Sequence, residues 1–180
     1  RLTPNQDLLL CNIGNYQKSS INNALIKIGF SDPGHPSPLA RHAMACPALP
    51  LCGLAMTEAE RFLPELLDRI NNQLKKLNIN NSILIRVTGC PNGCARPYMA
   101  ELALVGSGLN QYQLWLGGST DLKRLATPYL QKMSINDMER TLEPLFLNWK
   151  DTGKGLSLGD HVTNLGDEKV LSLLASKTDP

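Results

Sequence analysis

Four of the five cysteines in this 180-residue chain fall in two short turns. The first is Cys46-Pro47-Ala48-Leu49-Pro50-Leu51-Cys52 and the second Cys90-Pro91-Asn92-Gly93-Cys94, with residues 53–89 between them. Thiolates are soft ligands that suit zinc and iron–sulfur clusters. Zinc knuckles draw on pairs separated by roughly two to four residues, often with His. The longer first spacer, with its two prolines, is awkward for one tight zinc site and suits a wider cubane in which each Cys takes its own iron. Zinc stays open on ligand chemistry alone. In the second turn Pro91 fixes φ and has no N–H to lose, and Gly93 can take positive φ and let the backbone approach an inorganic core. Free N–H groups there would face the sulfurs, offset negative charge and raise a reduction potential.

An odd cysteine count leaves one over from any full set of disulfides, and clustering of the other four favours ligation. Both point to a reducing compartment. His35 and His42 flank the first turn; with four cysteines available, both read as surface or hydrogen-bonding residues. Arg86, Asn92, Arg96 and Tyr98 surround the second turn. A single Arg there would be ordinary surface charge, whereas two beside a buried cofactor suit the binding of carboxylates by planar forks.

The elements that must position these turns follow from periodicity. The run Leu8–Cys11 reads as a buried strand with Pro4 as a stop, and Cys11 as a buried structural thiol. Ser19 or Ser20 can cap a helix to about Ile28, with Gly29 ending it. Residues 31–38, with Pro33, Gly34, Pro36 and Pro38, form a loop and the natural domain seam. A short helical stretch spans Leu39–Met44. Thr57-Glu58-Ala59-Glu60 matches a capping box. The helix it opens carries an apolar stripe from Phe62 to Leu77, with Pro64 expected to kink or split it. Ser82–Thr88 is the clearest strand and runs into the second turn; its near-continuous apolar character predicts an interior place in a sheet. Glu101–Gly106 and Gln111–Leu116 predict a hairpin turning at Gly108, Leu109 and Asn110. A short helix at Asp121–Leu125, a strand at Tyr129–Met133, a helix from Ser134 over Ile135–Trp149, a loop at Gly153–Gly159 and a last helix over Glu168–Ala175 complete the expectation.

Composition is that of a globular chain, 42% hydrophobic and 19% charged, and the formal charge of +2 is too small to argue for nucleic-acid binding. No apolar run reaches about 18 residues. No signal peptide is visible, and an opening at Arg1 is what a processed terminus or a fragment would show.

Beyond spacing, the residues resemble a known family. Ala45-Cys46-Pro47-Ala48-Leu49-Pro50-Leu51-Cys52, Glu58-Ala59-Glu60-Arg61 and the stretch Arg86-Val87-Thr88-Gly89-Cys90-Pro91-Asn92-Gly93-Cys94-Ala95-Arg96-Pro97-Tyr98-Met99-Ala100-Glu101-Leu102 closely resemble assimilatory sulfite reductases. These belong to the sirohaem-containing sulfite and nitrite reductases. Leu2-Thr3-Pro4-Asn5-Gln6 and Tyr112-Gln113-Leu114-Trp115-Leu116-Gly117-Gly118 also fit. The likeness is to the C-terminal part of the ferredoxin-dependent type. It implies an α/β (α+β) fold, with helices packed on a mixed sheet in a cluster-binding domain over residues 34–180. Residues 1–33 would be the end of a ferredoxin-like half domain.

The resemblance further implies that Cys46, Cys52, Cys90 and Cys94 ligate a [4Fe–4S] cluster, and that Cys94 also bridges to the iron of sirohaem. Asn92 would lie near the haem or cluster, and Arg86 and Arg96 would bind carboxylates. The reaction would be the six-electron reduction of sulfite to sulfide. Implied partners are the preceding part of the enzyme, which carries the family's sulfite-binding Arg and Lys residues, and an electron donor, ferredoxin. The 180 residues alone are not expected to be active. The expected location is the cytoplasm, or a plastid stroma in a plant or alga. Two alternatives stand beside this: a nitrite reductase of the same family, against which Ala95-Arg96-Pro97-Tyr98 counts, and a non-catalytic iron–sulfur electron carrier or zinc-stabilised module.

Overall fold

The apolar run ending at Thr88 becomes a buried strand because a parallel strand lies on each side of it. The computed structural model describes residues 1–3, 8–30 and 37–176. Five strands form one mixed sheet in chain order: β1 (Met44–Ala45), β2 (Ile85–Thr88), β3 (Leu102–Gly108), β4 (Gln111–Leu116) and β5 (Thr127–Ser134). β1, β2 and β3 run parallel, and β4 and β5 are antiparallel to their neighbours. The long crossover from β1 to β2 carries helix α3 (Leu63–Lys76), as a parallel pair requires. The predicted hairpin is β3–β4, with Asn110 at φ 56° in its turn.

Side chains alternate across the sheet. Ile85, Val87, Leu102, Leu104, Tyr112, Leu114 and Leu116 enter the main core. There they meet Leu66, Ile70 and Leu74 of α3 and Met138, Leu142, Leu145 and Phe146 of helix α4 (Met138–Thr152). Each such side chain contributes roughly 1.5–3 kcal/mol on burial. A fork from Arg69 of α3 to Glu139 of α4 joins the two helices, with Nε–Oε1 and Nη2–Oε2 both at 2.6 Å. The opposite face of the sheet carries Arg86, Thr88, Ala103 and Val105, which are also buried.

Several local expectations are corrected. Leu8, Leu9, Leu10 and Cys11 are exposed, and their stretch makes an isolated bridge between Leu2 and Leu8, because among the described residues no neighbouring strand covers it. The first helix, α1 (Lys18–Lys27), begins without a serine cap, although Gly29 at φ 93° does follow its end. α2 (Pro38–His42) is capped by Ser37, whose Oγ accepts the Ala40 N–H, while Met44 has moved into β1. Of the expected seam at residues 31–38, residues 31–36 lie outside the described residues, while Ser37 and Pro38 open α2.

The capping box at Thr57 does not open a helix. Thr57 is buried, its hydroxyl is engaged by the hairpin, and α3 starts only at Leu63. Pro64 therefore sits in the first turn of α3, where its missing N–H costs nothing, and kinks no helix. Asp121–Leu125 is a turn, in which Ser119 Oγ donates to Asp121 Oδ1 and accepts the N–H groups of Lys123 and Arg124. Pro144 lies inside α4 without ending it. The stretch expected as loop runs into an additional helix, α5 (Leu158–Leu165), capped by Ser157, ahead of α6 (Asp167–Ala175).

Candidate metal and cofactor centre

Parallel pairing brings the two cysteine turns together. Ala45 of β1 is in register with Val87 of β2, so Cys46 and Cys90 leave the carboxyl ends of neighbouring strands. The Cys46 N–H donates to the Val87 carbonyl at 3.2 Å and extends the ladder into the first turn. Loops beyond the carboxyl ends of parallel strands are where α/β sheets hold ligands.

Cys46 and Cys90 are buried, Cys52 is half-buried and Cys94 is exposed; all are free thiols. Cys46 Sγ accepts the Gly89 N–H at 3.3 Å. Burial pushes the Cys46 thiol up, the N–H groups of Gly89 and Ala48 pull it down, and the charges of Cys94 and Cys90 push it up again. Cys46, Cys90 and Cys94 are thus within electrostatic reach of one another. Cys52 closes the first turn, its N–H donating to the Ala48 carbonyl at 2.8 Å.

Among the described residues, no three Cys, His, Asp or Glu side chains converge tightly enough to hold a single metal ion. A cubane asks for a wider arrangement, since each thiolate meets a different iron. Four free thiols in turns that meet at one sheet end, with the Gly89 N–H already aimed at the Cys46 sulfur, offer the soft donors and the N–H···S contact that such a core takes. The donor set therefore fits such a core.

The second turn is shaped as its residues suggest. Gly93 has φ 71° and Arg96 φ 52°, and the Arg96 N–H donates to the Gly93 carbonyl at 2.7 Å. Tyr98 donates its hydroxyl hydrogen to the Pro91 carbonyl at 2.6 Å and packs on Trp115 with ring centroids 4.6 Å apart. Burial, then the nearby Cys90 charge, pushes the Tyr98 hydroxyl up. Asn92 is exposed at the tip of the turn, and His42 is exposed at the end of α2. His35 lies outside the described residues.

Arg86 is only 3% exposed. One Nη donates to the Arg96 carbonyl at 3.1 Å, and its Nε has no partner. Burial, then repulsion from Arg96, lowers its pKa. Arg86 of β2 and Ser82 and Leu84, which precede the strand, line a cavity of about 320 Å³ with His42, Glu101, Thr120 and Leu122. Arg86 thus lines this cavity as a buried guanidinium that is only partly hydrogen-bonded. Arg96 instead reaches β1, with Nη2 3.6 Å from Met44 Sδ. The structure therefore brings both arginines together but places only Arg86 on this cavity.

Sequence reasoning did not single out Thr88, Gly89 or Glu101. Thr88 Oγ1 is buried without a partner, two residues from Arg86 on the same strand face. Glu101 is buried, its two oxygens accepting the N–H groups of Leu84 and Gly159 at 2.8 and 3.0 Å. The only signal for Gly89 and Glu101 was their place in the stretch from Arg86 to Leu102 that carries the family resemblance.

No family model matches the chain. The ferredoxin sulfite reductase of Synechococcus elongatus is 47% identical over 167 residues, covering 92% of this chain and 27% of that protein. The NADPH sulfite reductase hemoprotein beta-component of Oceanobacillus iheyensis is 42% identical over 168 residues, 92% of this chain and 29% of its own. The chain thus spans under a third of the length of these relatives. Among solved structures, the Mycobacterium tuberculosis NirA protein superposes with a TM-score of 0.75 over 94% of this chain at 21% identity. Dissimilatory sulfite reductase I superposes with 0.61 over 77% at 10% identity. These two share the fold, a five-stranded mixed sheet with packed helices. The homologues of the chain are sulfite reductases.

Proposed function

We propose that these residues are the cluster- and sirohaem-holding part of an assimilatory sulfite reductase. The observation that carries this reading is the meeting of the two cysteine turns at the ends of β1 and β2, in a chain 47% identical to a sulfite reductase. Cys46, Cys52, Cys90 and Cys94 would hold a [4Fe–4S] cluster, and Cys94, the exposed one, would also face the iron of sirohaem. Together these groups would supply stored electrons and a metal for the six-electron, six-proton reduction of sulfite to sulfide and three waters.

This chain's own residues hold and orient. Arg86, a buried and only partly hydrogen-bonded guanidinium lining the cavity beside β2, would bind a carboxylate there. Gly89 donates to Cys46 Sγ and stabilises the electron-rich form of the centre. Asn92, exposed in the second turn, would lie near the haem or cluster. The remaining part of the enzyme would supply the sulfite-binding cations. Ferredoxin is the proposed donor, since the ferredoxin form is the more similar of the two relatives described, with NADPH-linked forms close behind. No helix among the described residues is long and apolar enough to cross a membrane.

Iron and acid-labile sulfide analysis of the full-length protein, with its visible spectrum, tests the reading. Iron, sulfide and a reduced-porphyrin spectrum are expected; zinc in place of iron would mark a structural module, and a cluster without a macrocycle an electron carrier. Sulfide release from sulfite, compared with ammonia release from nitrite under reduced ferredoxin or NADPH, assigns substrate and donor. In Cys94→Ser, Mössbauer or EPR coupling between the two iron centres is expected to vanish; its persistence would remove the bridging role from Cys94.

A further inference from the structure

Resting on that reading, we infer that the Tyr112 hydroxyl is a positioning group for the cluster, acting through the linking segment Met56–Glu60, which ties both cysteine turns together.

The segment touches each turn through its backbone. The Met56 N–H donates to the Gly89 carbonyl at 2.7 Å, and the Glu60 N–H donates to the Cys46 carbonyl at 3.0 Å. Between these two anchors, the hairpin grips the segment by side chains. Tyr112 donates its hydroxyl hydrogen to the Glu58 carbonyl at 2.8 Å. Thr57 Oγ1 donates to the Tyr112 hydroxyl and accepts the Asn110 N–H, both at 3.2 Å. Thr57 and Tyr112 are 0% and 2% exposed. Buried hydrogen bonds of this kind have no water to replace them when broken.

The far end of the chain of contacts is a sulfur. Gly89, held at its carbonyl by Met56, donates its N–H to Cys46 Sγ at 3.3 Å. Backbone approach here is too close for side chains. A Cβ on Gly89 would lie 2.8 Å from the Thr57 carbonyl, and one on Gly106 only 2.3 Å from the Gly89 carbonyl. With so little slack, a shift of Thr57 and Glu58 moves Gly89 and lengthens its N–H···S bond. Such a bond favours the more negative, reduced cluster, so weakening it lowers the potential. Polar groups 18 residues or more from any cysteine ligand of the second turn would thereby tune the centre from the hairpin, with no contact to it.

Tyr112→Phe in the full-length protein isolates the hydroxyl, because the ring remains stacked on Phe62 at 6.3 Å between centroids. The reduced form is expected to become less favoured by up to roughly tenfold, or about 59 mV for one electron, by redox titration monitored by EPR. Thr57→Val should move the potential the same way, and Thr57→Ser, which keeps the hydroxyl, should restore it. Should Tyr112→Phe load poorly, the Thr57 pair carries the test. A loaded cluster whose potential falls by less than about 18 mV, a twofold change in the redox equilibrium, in Tyr112→Phe or Thr57→Val overturns the inference, as does a rise, even if unfolding shifts. A wild-type protein without iron and sulfide overturns the parent reading and this inference with it, so the two failures are told apart.

Discussion

Replacing Gly106 by Ala places a methyl group where the backbone before Cys90 already lies. The new Cβ would stand 2.3 Å from the Gly89 carbonyl oxygen, 2.5 Å from its carbon and 2.8 Å from Thr57 Cγ2. Ordinary contact begins at 3.4 Å, so the gap must widen by 3.4 − 2.3 = 1.1 Å, against backbone that has no rotamer to change. Overpacking of this kind costs typically 1–3 kcal/mol. The displaced Gly89 carbonyl also loses its bond from Met56, worth about 1 kcal/mol. A total near ~3 kcal/mol follows, and with an m-value of about 2 kcal/mol/M the urea midpoint should fall by about 1.5 M. Gly108→Ala is the matched control. It lies in the same strand, its Cβ would meet only Gln111 side-chain atoms at 3.7 and 3.9 Å, and it should shift stability by no more than about 0.5 kcal/mol. Both are glycines of β3, so the backbone-entropy gain of Gly→Ala cancels in the comparison. Urea unfolding followed by tryptophan fluorescence reads the difference. Midpoints for Gly106→Ala and Gly108→Ala within about 0.3 M of each other would refute the claim that hairpin and cysteine turn are locked backbone to backbone.

Three further outcomes are expected. Arg86→Met removes a buried, partly unpartnered charge, so the ligand-free protein should be unchanged or more stable in urea, while sirohaem retention after gel filtration falls at least roughly tenfold; a large loss of apo stability would contradict the reading of Arg86 as a binding group. The Arg69 fork holds the Glu139 carboxyl below its ordinary value, so the pair stabilises above the unfolded carboxylate pKa and is lost as pH falls through the folded one. Glu139→Gln should therefore cost about 1 kcal/mol at neutral pH, discounted for partial exposure, with the difference from wild type closing in acid thermal melts. His161 is buried against Asn148, with Nε2 and Oδ1 3.0 Å apart, and burial depresses its pKa below 6.5. The unfolded state then takes up the proton first, so stability should drop as pH falls below the unfolded value, and His161→Gln should flatten that slope of melting temperature between pH 7.5 and 5.5.

Legibility differed by element. Strand β2 and the β3–β4 hairpin could be read because their signals are local: a continuous apolar run, an alternating run and an Asn at the turn. The α4 and α6 helices were visible in their 3.6-residue stripes. The capping-box pattern at Thr57 was misread because a side-chain hydroxyl has no fixed partner in sequence; the hairpin 53 residues away claimed it. Cys11 and Leu8–Leu10 were expected inside because apolar runs usually are, but burial needs a neighbour, and the described residues provide none for them. The α5 helix lacked an apolar stripe long enough to announce itself, and Gly159 is there for close packing, its Cβ position lying against the Gly118 carbonyl.

The sequence by itself determined the ligand chemistry. Four thiols in two turns, threaded with proline and glycine, offer a soft donor set for the proposed centre, because donor type and turn stiffness are properties of the residues. Only the tertiary structure decided that the two turns share one end of a sheet, and that Arg86 rather than Arg96 faces the cavity beside it. It also turned Thr57 from a helix cap into a strut between the turns. Those facts depend on parallel register between β1 and β2, and register is set by packing across the whole core, which no stretch of residues encodes alone.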